Sequence, residues 1–164
     1  MRKISASILL TLALLPFFAE AKDLAARLGV GYSDQFALGT DLPSLAVRYY
    51  PNQDYGIMGS LGVDTEKDNS RFGIQAKILK LIFKEDNMNF YTGAGAGLIS
   101  RELNSKTEAG FDISGFFGGE FFFAGLDSLG LNFEAGVGVT SVSHEVRFRT
   151  IGDHPLRAGL FFYF

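Results

Sequence analysis

Residues 156 to 164 read Leu156-Arg157-Ala158-Gly159-Leu160-Phe161-Phe162-Tyr163-Phe164. Successive side chains of a β-strand point to opposite faces, so an extended conformation divides this segment into two sets. One face carries only apolar side chains, namely Leu156, Ala158, Leu160, Phe162 and Phe164, and the other carries Arg157, Gly159, Phe161 and Tyr163. The segment is therefore predicted to be a β-strand with one entirely apolar face.

The opposite end of the sequence has the organisation of a cleavable secretion signal. Arg2 and Lys3 precede an apolar run, and Ala19-Glu20-Ala21 is a small-x-small cleavage site. The run from Ile8 to Phe18 is shorter than the ~20 residues of a membrane-spanning helix, and Pro16 interrupts it. We therefore expect residues 1–21 to be a cleaved signal peptide and residues 22–164 to form one mature domain.

Composition excludes several classes of function. Residues 1–21 contain two basic residues and one acidic residue, which leaves 13 basic and 17 acidic residues and a net charge of −4. This balance argues against a nucleic-acid partner. The sequence contains no cysteine, which excludes a lipoprotein anchor, disulfides and thiolate metal sites.

The mature sequence is a series of alternating segments separated by turn-forming residues. After residue 21 no apolar stretch approaches the length of a membrane-spanning helix, so a chain in an apolar solvent has to pair its backbone groups between strands. A half-buried strand of a soluble sandwich shows the same period, but these segments have lengths near the ~9–11 residues of a membrane strand. We predict an all-β fold, an eight-stranded antiparallel up-and-down transmembrane β-barrel, with strands near 24–34, 42–51, 55–65, 70–83, 88–101, 109–123, 128–142 and 155–164.

The connections between these segments alternate in length, as they do in outer-membrane barrels. Compact turns are predicted at 51–54, 84–87 and 124–127, and longer loops near 35–41, 66–69, 102–108 and 143–154. Alternation from Glu145 to Arg149 indicates that the last hairpin extends above the membrane. The short turns are assigned to the periplasmic side.

Aromatic residues concentrate at the predicted periplasmic strand ends, where rings favour the membrane–water boundary. This pattern predicts a girdle that comprises Tyr49, Tyr50, Tyr55, Phe83, Phe90, Tyr91, Phe121 to Phe123 and Phe162 to Phe164. A thinner girdle at the other boundary is predicted to comprise Tyr32, Phe36, Phe72, Phe111 and Phe148.

The inward face is predicted to carry a network of charges. A barrel of about eight strands is only wide enough to be filled by side chains, so buried charges inside it must pair. Inward glycines, such as Gly95, leave room for long side chains. The predicted lumen charge network, a polar plug, consists of Arg27, Arg48, Asp64, Arg71, Lys77, Asp112, Glu120, Glu134 and Arg157.

The terminal strand resembles the C-terminal strand of bacterial outer-membrane barrels, and the whole mature chain resembles the small eight-stranded OmpA/OmpX-like superfamily. The resemblance implies a monomer in the outer membrane of a Gram-negative cell, in contact with outer-membrane lipid and lipopolysaccharide. It also implies assembly by periplasmic chaperones and the barrel-assembly machinery. In that case Leu160, Phe162 and Phe164 act as the membrane-insertion signal.

Members of this superfamily serve as structural or adhesive barrels, narrow pores or lipid A-modifying enzymes. The best candidates for catalysis are Ser141, Ser143, His144 and Glu145, and their order departs from that of the lipid A deacylases. Adjacent Ser143 and His144 also point to opposite faces of an extended strand. His154 beside Asp153 is typical of a turn, and nothing in the histidine spacing requires a metal.

We therefore predict a non-enzymatic structural or interaction protein with a charge-plugged interior, with no catalytic residues, cofactor or metal. A narrow pore for ions or small solutes and a lipid A-modifying enzyme are the alternatives.

Overall fold

A computed structural model describes residues 23–37, 41–103, 106–143, 145–150 and 156–164. The predicted signal peptide, residues 1–21, lies outside the described residues. The described residues form β1 (Leu28–Ala37), β2 (Asp41–Tyr49), β3 (Tyr55–Asp64), β4 (Arg71–Glu85), β5 (Met88–Leu103), β6 (Lys106–Phe123), β7 (Leu126–Val142), β8 (Glu145–Thr150) and β9 (Arg157–Tyr163). These segments contain no helical span of the length and apolarity needed to traverse a bilayer.

Eight of these strands form a closed antiparallel barrel. The ring consists of β1 to β7 and β9. Strands β1 to β6 each pair with the next strand along the chain, and β9 pairs with both β7 and β1. The ring is closed by pairs such as Gly31 with Phe161 on one side of β9 and Glu134 with Arg157 on the other. The prediction of an all-β, eight-stranded antiparallel up-and-down barrel is confirmed.

The two ends of the barrel differ in their connections. At one end, here called the turn end, lie the connections at 50–54, 86–87 and 124–125 together with residues 23–27 and Phe164. Asn52 Oδ1 accepts hydrogen bonds from the amides of Asp54 and Tyr55, which closes the first turn. Gly125 adopts a φ of 80°, a conformation that favours glycine. The opposite end is here called the loop end.

Strand β1 begins later than the sequence predicts. The predicted strand started at 24, but residues 23–27 turn across the turn end of the barrel. Ala26 has a φ of 59°, and its amide donates to the carbonyl of Tyr50. This turn directs Leu24 into the interior, where it is buried. Alternation alone does not reveal the turn, because a buried leucine also fits an inward strand position.

Strand β8 lies outside the ring and extends the last hairpin. It pairs with β7 from Val142↔Glu145 to Val137↔Thr150, as the alternation from Glu145 to Arg149 predicts. The next five residues, 151–155, lie outside the described residues, and so do 38–40 and 104–105 in the other predicted loops.

Burial alternates along the strands, and the two faces have opposite polarity. On β2, Leu45 is 67% exposed and Arg48 is 0% exposed; on β4, Ile78 is 64% exposed and Lys77 is 2% exposed. Apolar side chains therefore form the outer surface and charged side chains lie within. This is the reverse of the hydrophobic-in, polar-out arrangement of a soluble sheet.

Candidate functional site

The strand faces bring six of the nine residues of the predicted lumen network into the barrel. Each of these six has an exposed fraction of 4% or less. They are Arg48, Lys77, Asp112, Glu120, Glu134 and Arg157. The other three, Arg27, Asp64 and Arg71, lie near the two ends.

Four of the buried charges form one ion-pair group, here called the central cluster: Arg48 on β2, Lys77 on β4, Glu120 on β6 and Glu134 on β7. Arg48 Nη1 lies 3.3 Å from Glu120 Oε1, and Arg48 Nη2 lies 3.6 Å from Glu134 Oε1. Lys77 Nζ donates to Glu134 Oε2. All four side chains are fully buried. Two cations thus neutralise two anions contributed by four different strands.

Three tyrosines complete the coordination of the two carboxylates. Tyr50 Oη donates to Glu120 Oε2 at 3.0 Å, and Tyr163 Oη donates to Glu120 Oε1 at 2.5 Å. Tyr91 Oη donates to Glu134 Oε1 at 3.1 Å. Hydrogen bonds to ionised acceptors are about twice as strong as those between neutral groups. The hydroxyls therefore offset part of the free-energy cost of removing the two carboxylates from water.

Aromatic rings lie over the cations of the central cluster. The Arg48 guanidinium lies 4.5 Å from the ring centroid of Phe161 and 5.3 Å from that of Tyr91. Lys77 Nζ lies 4.5 Å from the ring centroid of Phe116. Such cation–π contacts contribute up to about 2 kcal/mol when the cation is desolvated. The rings also fill space between the charged groups.

Two glycines allow the central cluster to assemble. A Cβ at Gly95 would lie 2.9 Å from Lys77 Cγ, and a Cβ at Gly118 would lie 3.0 Å from Glu134 Cγ. Gly118 is the cross-strand neighbour of Glu134. The side chains of Lys77 and Glu134 therefore occupy space that any larger residue at these glycines would take.

A second polar group surrounds Asp112 on β6. Its carboxylate accepts hydrogen bonds from Thr140 Oγ1 at 2.8 Å and from Gln75 Nε2 at 3.2 Å, and it lies 3.7 Å from Arg149 Nη2. Sequence reasoning missed Arg149 because it assigned 143–154 to a loop. The alternation from Glu145 to Arg149 was the available signal, since Arg149 shares a face with Gly138 in the β7–β8 ladder.

Arg157 connects the two groups. It is the cross-strand neighbour of Glu134, and the charges of both Asp112 and Glu134 act on its guanidinium. Its Nη1 is buried without a hydrogen-bond partner among the described residues. Arg157 thus places a third buried cation beside the two cations of the central cluster.

The remaining predicted network residues are kept apart from the central cluster. Arg27 donates to the carbonyl of Tyr163 at 3.1 Å and to that of Asp127 at 3.3 Å, so it binds backbone at the turn end. Asp64 and Arg71 form an ion pair with each other at the loop end and stay partly exposed. The nine predicted residues therefore do not form a single network.

The aromatic residues at the turn end divide between the two faces. Tyr49, Tyr55, Phe83, Phe123, Phe162 and Phe164 are exposed on the outer surface, together with Leu160. The prediction of a girdle is wrong for Tyr50, Tyr91, Phe122 and Tyr163, which are buried in the interior. These four share the alternation of the buried charges, as Tyr50 does with Arg48 two residues earlier. With Leu24 and Leu79 they close the turn end of the lumen.

Phe36 is also wrongly assigned to the outer surface. It is 3% exposed and packs with Leu42 and Ile99 inside the loop end. The register of β1 against β2 shifts between Asp34 and Phe36. Such an irregularity inserts one extra residue and reverses the facing of those that follow. The other four residues assigned to the outer girdle, Tyr32, Phe72, Phe111 and Phe148, are exposed.

The candidate catalytic residues are described only in part. Ser141 lies on β7, Ser143 adopts a φ of 49° in the turn after it, and Glu145 begins β8. His144 and the segment Asp153-His154-Pro155 lie outside the described residues. Among the described residues, no three histidine or carboxylate side chains are grouped to hold a metal ion.

No protein-family model, curated protein or solved structure matches the chain.

Proposed function

We propose that this small β-barrel protein spans the outer membrane of a Gram-negative cell as a non-conducting structural or interaction protein without catalytic activity. The single observation that carries the proposal is the inverted polarity of the barrel. Large apolar side chains cover its outside, whereas arginine, lysine and glutamate side chains fill its interior. Water on the outside would leave that apolar surface exposed, and a bilayer would cover it.

The closed ring supports the same environment. Within a hydrocarbon layer each backbone amide and carbonyl needs a partner, and a closed barrel supplies one without leaving a sheet edge. Strands β4 to β7 contain 15 to 18 residues, so they exceed the ~9–11 needed to cross the bilayer. The excess at the loop end would project from the membrane and carry the contacts of an interaction protein.

The filled interior favours a closed barrel over a pore. The central cluster joins β2, β4, β6 and β7 through the lumen, and below it an aromatic layer of Tyr50, Phe122 and Tyr163 lies at the turn end. An ion would have to displace paired charges that are fully buried. We therefore propose that the interior stabilises the barrel and specifies its fold, and that it has no role in transport.

The membrane assignment is tested by expressing the full-length chain in a Gram-negative host and separating the inner membrane, outer membrane and periplasm. We expect the protein in the outer membrane, and we expect boiling to change its migration in detergent gels because heat opens the barrel. Recovery in the soluble periplasm, or identical migration with and without boiling, would refute the proposal. A change in lipopolysaccharide mass that His144→Ala abolishes would favour the lipid-modifying enzyme instead.

A further inference from the structure

The outer surface of the barrel carries an apolar depression, here called the outer groove. Its floor is a row of small residues, Gly59, Ala76 and Ala96, which are cross-strand neighbours on β3, β4 and β5. Larger side chains such as Leu61 and Leu98 rise beside the row. The groove has a volume of about 940 Å³, and a Cβ added at Gly59 would meet no atom within 4 Å.

A single lysine lies on the same face between the groove and the turn end. Lys80 is exposed on β4, where the outward positions from Phe72 to Ile82 are otherwise occupied by apolar residues. Its cross-strand neighbours are Tyr55 and Thr92. The structure records no hydrogen bond or ion pair of Lys80 with any described residue. Between Phe72 and Ile82 the outer face of β4 thus presents one positive charge beside an apolar groove.

The spacing of the two features fits a lipid. Lys80 and Ala76 are four residues apart on β4, which is about 13 Å along a strand. One leaflet of hydrocarbon is about 15 Å thick, half of the ~30 Å core. A headgroup phosphate on Lys80 therefore allows an acyl chain to lie along the strand and reach the floor of the groove. A lysine near the interface costs about 0–1 kcal/mol in lipid, and its alkyl stem can keep the ammonium at headgroup depth.

We propose that Lys80 and the outer groove bind one anionic phospholipid of the leaflet at the turn end, a proposal that rests on the membrane location proposed above. A second copy of the chain fits less well. A two-fold axis through the groove and parallel to the barrel would bring the Lys80 side chains of both copies to the same side of a shared apolar interface. The two positive charges would then repel each other without a counter-ion.

Native mass spectrometry of the refolded protein tests the site. The protein is released from micelles that contain equal amounts of phosphatidylglycerol and phosphatidylcholine. One basic side chain near a membrane surface contributes about 1 kcal/mol of attraction to anionic lipid, which corresponds to about a fivefold preference. We expect one phosphatidylglycerol per barrel, about fivefold favoured over phosphatidylcholine.

Two variants separate the parts of the site. We expect Lys80→Gln to bind phosphatidylglycerol and phosphatidylcholine equally. The control Lys84→Gln, at the end of the same strand, should keep the wild-type preference for phosphatidylglycerol. Gly59→Leu adds a side chain to the floor of the groove, where a Cβ meets no atom within 4 Å, and is expected to reduce the retention of both lipids. Three results would overturn the lipid site: equal binding of the two lipids by the wild type, an unchanged preference for phosphatidylglycerol in Lys80→Gln, or a dimer without lipid.

Migration of unboiled and boiled samples of the same preparations is compared in detergent gels. A heat-dependent shift with no lipid preference would refute the lipid site and leave the membrane barrel intact. Loss of the shift in the wild type would refute the membrane barrel itself.

Discussion

Lys77 on β4 donates a hydrogen bond to the carboxylate of Glu134 on β7, across the interior of the barrel. Strands β5 and β6 separate the two in one direction around the ring, and β3, β2, β1 and β9 separate them in the other. The pair therefore connects distant walls, in contrast to a pair within one ladder. Because Arg48 also contacts Glu134, the carboxylate lies between two cations.

Replacing Glu134 by alanine should strongly destabilise the barrel. The change leaves Lys77 and Arg48 with an uncompensated buried positive charge, which costs about 3–5 kcal/mol. The measurement is the free energy of unfolding in urea of the refolded protein in lipid or detergent. Glu85→Ala, at an exposed position at the end of β4, is the control and should have a small effect. An unchanged unfolding midpoint in Glu134→Ala would contradict the described position of the carboxylate.

Removing both partners of the same pair should cost less than removing Glu134 alone. Lys77→Met/Glu134→Leu leaves neither charge unpaired and keeps the volume filled. We expect its free energy of unfolding to lie between those of Glu134→Ala and the wild type. Additive effects of the two single substitutions in a double-mutant cycle would show that the two groups do not interact.

The purified wild-type protein should be silent in a planar bilayer. The interior of an eight-stranded barrel is only wide enough for side chains, and the central cluster and the aromatic layer are buried in it, so no continuous aqueous path is expected. Single-channel recording is the measurement, with Lys77→Ala/Glu134→Ala as the comparison. Steady openings in the wild type that change conductance in this variant would instead identify a narrow pore.

Removing the hydroxyl of Tyr163 should weaken the interior. Tyr163→Phe deletes a hydrogen bond to the buried Glu120 carboxylate, and bonds to charged groups contribute about 1.5–3 kcal/mol. Tyr55→Phe removes a hydroxyl from the outer surface and should change stability by no more than about 0.5 kcal/mol. Equal effects of the two substitutions on urea unfolding would contradict the burial of Tyr163.

Two glycines of β6 should respond oppositely to alanine. A Cβ at Gly118 would clash with the Phe133 carbonyl and crowd Tyr91, so we expect Gly118→Ala to cost about 1–3 kcal/mol. A Cβ at Gly115 would meet no atom within 4 Å, so Gly115→Ala should be neutral or stabilising by up to about 1 kcal/mol. A reversed order of the two midpoints would show that β6 faces the other way.

The turn that holds Leu24 should loosen in acid. The Ala25 amide donates to Asp23 Oδ1, which holds the pKa of the Asp23 carboxyl below its ordinary value, and Gln53 contributes a further hydrogen bond. A lowered pKa stabilises the folded turn above the unfolded value of ~3.9 and loses this effect as the pH falls through the folded value. The protection of the Ala25 amide against exchange, followed by NMR relative to the intrinsic exchange rate at each pH, should therefore fall below pH ~4. Asp23→Asn should abolish that step, and a wild type without the step would contradict the contact.

Much of the fold follows from local pattern. The period of two, the turn residues and the connection lengths predict the eight strands of the ring, because strand facing depends only on parity along an extended chain. The same parity predicts the burial of Arg48 and Glu134. It fails at Phe36, where the register shift in β1 reverses the parity, and at Leu24, where a turn replaces the predicted strand.

The sequence by itself determined which faces are apolar and which are charged, since that depends on the order of residues along each strand. Only the tertiary structure decided which charges meet. Lys77 and Glu134 are 57 residues apart, and their contact depends on the register and closure of the whole ring. The tyrosines were misassigned to the girdle although alternation already gives their facing, and only their hydrogen-bond partners required the tertiary structure. Alternation places Tyr50 on the inner face, but only the closed barrel brings its hydroxyl to Glu120.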